Sequence, residues 1–211
     1  MMISALIPAF NEEKTIGNVI SVLKSCKKID EILVINDGSE DDTSDIAKSY
    51  NIEVIDLECN LGKGGAICKG LEVSKGDIML ILDADLIGLK QKHIYDLINP
   101  IIYDNVDMTT GIFANGRITT DIAQKFAPFL SGQRAIKKYI LDDINNLEIT
   151  RYGFEIALTR YCDKHDVVVQ EVPLNNLTHI MKEEKMGLYK GARARLKMYM
   201  DIVKTFSSNN S

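Results

Sequence analysis

Through the first half of the chain, short apolar runs alternate with segments of helical period, and few folds accommodate that pattern. Ile3-Ser4-Ala5-Leu6-Ile7-Pro8 is an apolar run suited to a buried strand. Ile16, Val19, Ile20 and Leu23 then recur at helical spacing. Asn11 suits the N-cap of that helix, with Glu12 and Glu13 in its first turn. Ile32 to Ile35 predicts a second strand, ended by Asn36-Asp37-Gly38-Ser39, and a short helix follows near 42–50. A strand over 52–57, a helix over 63–74 entered through glycines, and a strand over 77–82 ending in Asp83-Ala84-Asp85 complete the series. Strand and helix alternating in this way require right-handed crossovers and a mostly parallel sheet with helices on both faces, an α/β architecture of three layers. Such sheets meet their ligands outside the carboxyl ends of the strands. Here those ends carry Pro8-Ala9-Phe10-Asn11, Asn36-Asp37-Gly38-Ser39 and Asp83-Ala84-Asp85, so three polar strand ends converge on one crevice.

The second half is less regular. Gln91 to Ile102 predicts a helix, and Met108 to Phe113 a strand followed by the polar loop Ala114-Asn115-Gly116-Arg117. Short helical pieces are expected through 120–140, and a helix opens at Arg151-Tyr152-Gly153-Phe154-Glu155 and runs to about Lys164. Val167 to Val172 reads as a strand, 187–206 as a terminal helix, and 207–211 as a frayed tail. No linker or repeat interrupts 1–206, which predicts one domain. The longest apolar run, Ile78 to Leu82, is far short of the roughly 18 residues that span a bilayer. The N-terminus lacks a basic region and a cleavage site, so no signal peptide is expected. Four cysteines without a C-x-x-C pair argue against a disulfide framework or thiolate zinc site and fit a reducing cytoplasm.

Charge adds a constraint. The net charge is −5, from 25 basic and 30 acidic residues, which argues against a nucleic-acid binder. Between Lys182 and Lys204, seven basic residues face three acidic ones, a local +4 that leaves −9 on the remainder. Leu188, Ala192, Leu196, Tyr199 and Val203 line one face of that last helix, with Arg193, Arg195 and Lys197 beside or opposite it. The helix either packs on the domain with a solvated basic face or lies on anionic lipid.

Asp83-Ala84-Asp85 is the most informative triplet, because two carboxylates two residues apart at a strand end can fan toward one point. Hard divalent cations favour such oxygens together with phosphate oxygens and water; the competing reading is a capped turn. Asp37 can accept from a base N–H or a ribose hydroxyl, or it can build an Asx turn on Gly38-Ser39. Leu61-Gly62-Lys63-Gly64-Gly65-Ala66 lets backbone amides approach phosphate and adds a cation at Lys63. It lacks the residues of a P-loop, and the first strand end lacks those of a dinucleotide fingerprint. His179 can complete a metal site begun by Asp85, whereas His93 and His165 read as structural or solvated, His93 on a surface helix. Glu155, at a helix mouth, is either a general base or an acid favouring the helix dipole. Arg117 and Arg134, both read in loops, can hold an anion bidentately.

Together these elements resemble a family 2 glycosyltransferase. The resemblance rests on Pro8-Ala9-Phe10-Asn11-Glu12-Glu13, Asn36-Asp37-Gly38-Ser39, Leu61-Gly62-Lys63-Gly64-Gly65-Ala66 and Asp83-Ala84-Asp85, in order across roughly residues 3–90. Ser131-Gly132-Gln133-Arg134-Ala135 resembles the acceptor-side loop, and Gly153-Phe154-Glu155 the segment after it. The nearest groups are the dolichyl-phosphate mannosyltransferases and glucosyl-3-phosphoglycerate synthases. The resemblance implies the GT-A fold, a Rossmann-like nucleotide-diphospho-sugar transferase architecture. It implies a nucleotide-sugar half over about 1–90, an acceptor half over about 91–186, and a homodimer precedent.

The same resemblance implies that Pro8, Ala9, Phe10, Glu12 and Asp37 meet the nucleoside and that Asp83 contacts ribose or metal. It implies that Asp85 holds Mg²⁺ or Mn²⁺ on the donor diphosphate, with His179 as a further ligand. It implies that Lys185 falls near the donor phosphates, where the glycine turn is read as placing Lys63 and Gly64; Arg117 and Arg134 remain either anion-holding or surface arginines. The paired acids that inverting members use as base are missing, which leaves Glu155 or no protein base. The expected activity is transfer of a sugar from a nucleoside-diphosphate sugar to a polyprenyl phosphate or a small phosphorylated acceptor, in the cytoplasm or at the inner membrane face. A nucleotide-sugar sensor or inactive paralogue is the non-catalytic alternative. A sugar nucleotidyltransferase is disfavoured by Pro8-Ala9-Phe10-Asn11-Glu12-Glu13, where that class carries a glycine- and basic-rich loop.

Overall fold

The computed structural model describes residues 1–113, 131–144 and 153–179. The chain divides at Thr178 into two units, and the architecture that follows is that of Met1–Thr178. Its first half alternates as the sequence predicts: β1 (Ile3–Ala9), α1 (Ile16–Ser25), β2 (Glu31–Asn36), α2 (Thr43–Ser49), β3 (Glu53–Asp56), α3 (Gly62–Val73) and β4 (Ile78–Ile81). β5 (Leu86–Ile87) lies in a separate two-stranded sheet with β9 (Thr178–His179). The remaining elements are α4 (Gln91–Tyr103), β6 (Met108–Phe113), β7 (Arg134–Lys137), α5 (Lys138–Asp143), α6 (Gly153–Lys164) and β8 (Val169–Leu174).

Seven strands form the central sheet in the order β3-β2-β1-β4-β7-β6-β8. β1 pairs in parallel with both β2 and β4, and β7 alone runs antiparallel, between β4 and β6. The core divides by strand parity, as a sheet covered on both faces must. Ala5, Ile7, Val34, Ile78 and Leu80 pack with α1 and α4 on one face. Leu6, Leu33, Ile35, Met79 and Ile81 pack with α3, α5 and α6 on the other. Each of the Val, Leu, Ile and Met side chains removed from water contributes about 1.5–3 kcal/mol. α3 sits close over β1 and β2 because Gly70 carries no side chain: a Cβ there would fall 2.8 Å from Ile35 Cδ1.

Three expectations are corrected. Asn11 does not cap α1, whose N-cap is Thr15. Asn11 instead takes a left-handed φ of 55°. Its amide donates to Ser39 Oγ at 3.0 Å and its Oδ1 accepts from Glu40 N at 2.9 Å, tying the ends of β1 and β2 together. Arg134 to Lys137 is a strand and not a helical piece. Ala135 and Ile136 are buried on opposite faces of the sheet, a period of two that four residues flanked by cations conceal. His93 is buried rather than on a surface. Its Nδ1 accepts the Lys90 amide at 3.2 Å and its Nε2 meets the Asn175 carbonyl at 3.0 Å, which fixes a neutral tautomer protonated on Nε2. Residues 114–130 and 187–206, and with them the polar loop and the basic terminal helix, lie outside the described residues.

Candidate functional site

The carboxyl ends of β1, β2 and β4 are tied to one another by polar bonds. The Ala9 carbonyl accepts the Asp37 amide at 2.8 Å, joining β1 to β2. Beyond β1, Phe10 is 44% exposed, a large aromatic face left open at a strand end. The Glu12 amide donates to Thr43 Oγ1 at 2.7 Å and its carbonyl accepts the Thr15 and Ile16 amides, so Glu12 starts α1 and meets α2 at once. Pro8 is half-buried and Ala9 buried.

Asp37 is only 4% exposed. Its Oδ1 accepts the Leu61 amide at 2.7 Å and its Oδ2 the Gly62 amide at 2.9 Å. A carboxylate on two amides at a helix start satisfies donors that the helix itself cannot, and it favours the positive end of the helix dipole. Asp37 therefore seats α3 on β2. The turn beside it needs glycine: Gly38 has φ +71°, and a Cβ there would lie 3.0 Å from both Cys59 C and Asn60 N.

The glycine segment is the first turn of α3 and not a separate loop, with Gly64 and Gly65 buried. That turn carries Lys63 toward the end of β4, where Nζ donates to Asp83 Oδ1 at 2.7 Å. The other carboxylate oxygen, Oδ2, accepts from Gln133 Nε2 at 2.7 Å. Gln133 is fully buried at the start of β7, and Gly132 before it lies so close that a Cβ would overlap both Asp83 Oδ2 and Lys63 Nζ. The hydroxyl of Ser131 donates to the Gly111 carbonyl at 2.5 Å, and its oxygen lies 3.3 Å from the Gln133 amide, which fixes the segment against β6. Asp85 follows in the turn between Asp83 and β5 and is partly buried.

The structure thus brings together Asp37, Lys63, Gly64 and Asp83, with Asp85 two residues on, and adds Gln133. Gln133 stood inside the Ser131 to Ala135 segment, but no pattern marks a buried glutamine as the partner of a distant aspartate. Arg134 is corrected: it lies in β7 at 2% exposure, not in a loop. Its Nε donates to the Ser131 carbonyl at 3.0 Å, and it lines a cavity of about 140 Å³ with Met108, Thr110 and Cys162. Burial pushes the Cys162 thiol up to about 11 despite the nearby guanidinium. Glu155 is the third residue of α6, and His179 the last of β9; their side chains, and all of Arg117 and Lys185, lie outside the described residues.

Among the described residues no three His, Cys, Asp or Glu side chains gather as a metal cage. Among them, too, no helix is long and apolar enough to cross a membrane.

Comparison with known proteins places this geometry. The family model described as glycosyl transferase family 2 matches residues 4–164. The chain is 32% identical over 195 residues to a glucosyl-3-phosphoglycerate synthase of Petrotoga mobilis, covering 74% of this chain and 58% of that protein. It is 36% identical to an uncharacterised protein of Methanocaldococcus jannaschii, covering 83% and 81% respectively. It is 28% identical to a dolichyl-phosphate beta-glucosyltransferase of Trichomonas vaginalis, over 76% of this chain and 54% of the other. The chain thus spans little more than half the length of these two named enzymes. A crystal structure of glucosyl-3-phosphoglycerate synthase from Mycobacterium tuberculosis with Mn²⁺, uridine diphosphate and phosphoglyceric acid superposes with a TM-score of 0.74 at 26% identity, covering 85% of this chain and 70% of that one. With the strand order, the carboxylates at the strand ends and a family match over residues 4–164, the chain belongs to glycosyl transferase family 2 and has the GT-A fold.

Proposed function

We propose that this chain transfers a hexosyl group from a nucleoside-diphosphate sugar to a phosphorylated acceptor, with Mg²⁺ or Mn²⁺ on Asp85. The observation that carries the reading is the meeting of Lys63, Asp83 and Gln133 beyond β4, two residues before Asp85. Phe10 offers its exposed face to the nucleobase, beside Pro8 and Ala9. Asp37, at the end of β2 beside them, stands on the nucleoside side of the site. The Lys63 ammonium turns from Asp83 to the diphosphate, where charge grows as the leaving group departs. Asp85 and His179 would hold the cation, which would supply neutralisation of the diphosphate charge. Lys185, Arg117 and Glu155 complete the set on the donor and acceptor sides.

Several findings on relatives support the acceptor class. Glucosyl-3-phosphoglycerate synthases and dolichyl-phosphate glucosyltransferases both act on phosphorylated molecules, as their names state. Crystal structures of the first hold Mn²⁺ or Mg²⁺ with uridine diphosphate. Cys26, Cys59, Cys68 and Cys162 are thiols rather than disulfides, which accords with a cytoplasmic setting, at the membrane face if the acceptor is a lipid.

The test is release of nucleoside diphosphate from a panel of UDP- and GDP-sugars with Mn²⁺, offered 3-phosphoglycerate in one arm and a polyprenyl phosphate in another. Turnover in either arm is expected, and it names the acceptor. Glu155→Gln then separates hydroxyl from phosphate attack: a hydroxyl needs a base and loses about 10²-fold or more, whereas an ionised phosphate needs none. A donor bound tightly in every arm but never turned over would make the protein a sensor.

A further inference from the structure

Resting on that reading, we propose that Gln133 is a positioning residue for the donor step: it holds Asp83 in place when Lys63 is drawn away to the diphosphate. Asp83 is gripped from two sides by partners of different kind. Lys63 is a cation on a long flexible stem, its side chain about a quarter exposed. Gln133 is neutral, fully buried, and fixed by its neighbours: its own backbone amide reaches Ser131 Oγ, whose hydroxyl is spent on the Gly111 carbonyl.

The two grips have different consequences when an anion arrives. A lysine ammonium is a point charge that reorients freely and follows the stronger negative field. A diphosphate carries more charge than one carboxylate, so Lys63 exchanges partners. Gln133 then keeps its hold on Asp83 Oδ2, which lies 2.7 Å from its Nε2, and limits how far the carboxylate can turn toward the incoming phosphates. Gly132 enforces the arrangement by leaving room for both Lys63 and Asp83 against the backbone. The buried glutamine is therefore the fixed half of the clamp and Lys63 the exchangeable half.

The experiment titrates UDP with Mn²⁺ into the parent, Gln133→Leu and Gln133→Met at about pH 7.5, with circular dichroism and thermal melting as checks on folding. Gln133→Leu removes the donor without adding charge, and its Kd for UDP is expected to rise about tenfold or more, as befits the loss of a hydrogen bond to a charged group. Gln133→Met keeps the length and packing of the side chain but not its donor, so it separates the hydrogen bond from a merely structural role. Its Kd is expected to rise as far as that of Gln133→Leu while its melting temperature stays within a few degrees of the parent's. If Gln133→Leu binds as the parent does, or if Gln133→Met restores the parent's affinity, the positioning role is wrong while the donor site stands. If the parent itself fails to bind UDP with Mn²⁺, the donor reading falls, and the role of Gln133 falls with it.

Discussion

The Lys63–Asp83 pair can be tested by a double-mutant cycle. Its Nζ–Oδ1 distance is 2.7 Å, and the two side chains are 23% and 32% exposed. Unit charges about 4 Å apart attract by roughly 4 kcal/mol at an effective dielectric near 20. Desolvation and the ordering of a lysine take back most of that, and fully exposed pairs retain only about 0.2–1 kcal/mol. This pair is less exposed than those, and one oxygen of its carboxylate is already fixed by Gln133. A coupling energy of about 1–1.5 kcal/mol is therefore expected between Lys63→Met and Asp83→Asn, measured by urea unfolding at pH 7. The Lys63→Met variant should also lose about tenfold or more in affinity for a nucleoside diphosphate, because the same ammonium meets the phosphates. A coupling below about 0.3 kcal/mol would refute the view that this contact is a formed ion pair. A coupling of the expected size with unchanged affinity would refute the exchange of partners.

Other outcomes follow from neighbouring features. Gly132→Ala places a methyl group on Asp83 and Lys63, whose side chains can swing aside; donor affinity should fall about tenfold while the melting temperature changes by only a few degrees. Asp56 lies at the edge of the sheet, where burial opposes its ionisation but bonds from Lys48, Ser44 and Asn36 outweigh that and hold its pKa at about 2. Folding lowers this pKa, so the stabilisation is complete above pH about 4 and disappears as pH falls toward 2. The full shift corresponds to about 2.5 kcal/mol, reduced to about 1 kcal/mol for a side chain this exposed. The stability gap between the parent and Asp56→Ala in urea unfolding should therefore close between pH 4 and pH 2. Cys59 is exposed while Cys26 and Cys162 are buried with thiols pushed up by that burial. A fast phase of labelling with a thiol reagent should therefore vanish in Cys59→Ser.

Much of the first half was legible because its signals are local. β1, β2 and β4 are built on apolar runs, and the helices between the strands carry their own period, so element and order followed from spacing. The polar strand ends could be read for the same reason: a parallel sheet sends all of them to one edge. What escaped depends on contacts far apart in sequence. Asn11 looks like a helix cap until Ser39 and Glu40 are seen to claim it. Asp37 looks like a ligand-facing carboxylate, but its first duty is to the Leu61 and Gly62 amides. β7 is a four-residue strand inserted antiparallel between β4 and β6, and no periodicity over so short a run can announce that. Gln133 reaches Asp83 across 50 residues, a pairing set by the sheet order alone.

The central claim is that the carboxylates beyond β4 form a cation-dependent site for a nucleoside diphosphate, with Asp85 as its metal-holding residue. Calorimetric titration of UDP and of GDP, each with and without Mn²⁺, into the parent and into Asp85→Ala tests it most directly. Binding of at least one nucleotide by the parent should strengthen markedly with Mn²⁺, and Asp85→Ala should lose that metal dependence while remaining folded. If Asp85→Ala binds the nucleotide with Mn²⁺ as tightly as the parent does, the claim is contradicted.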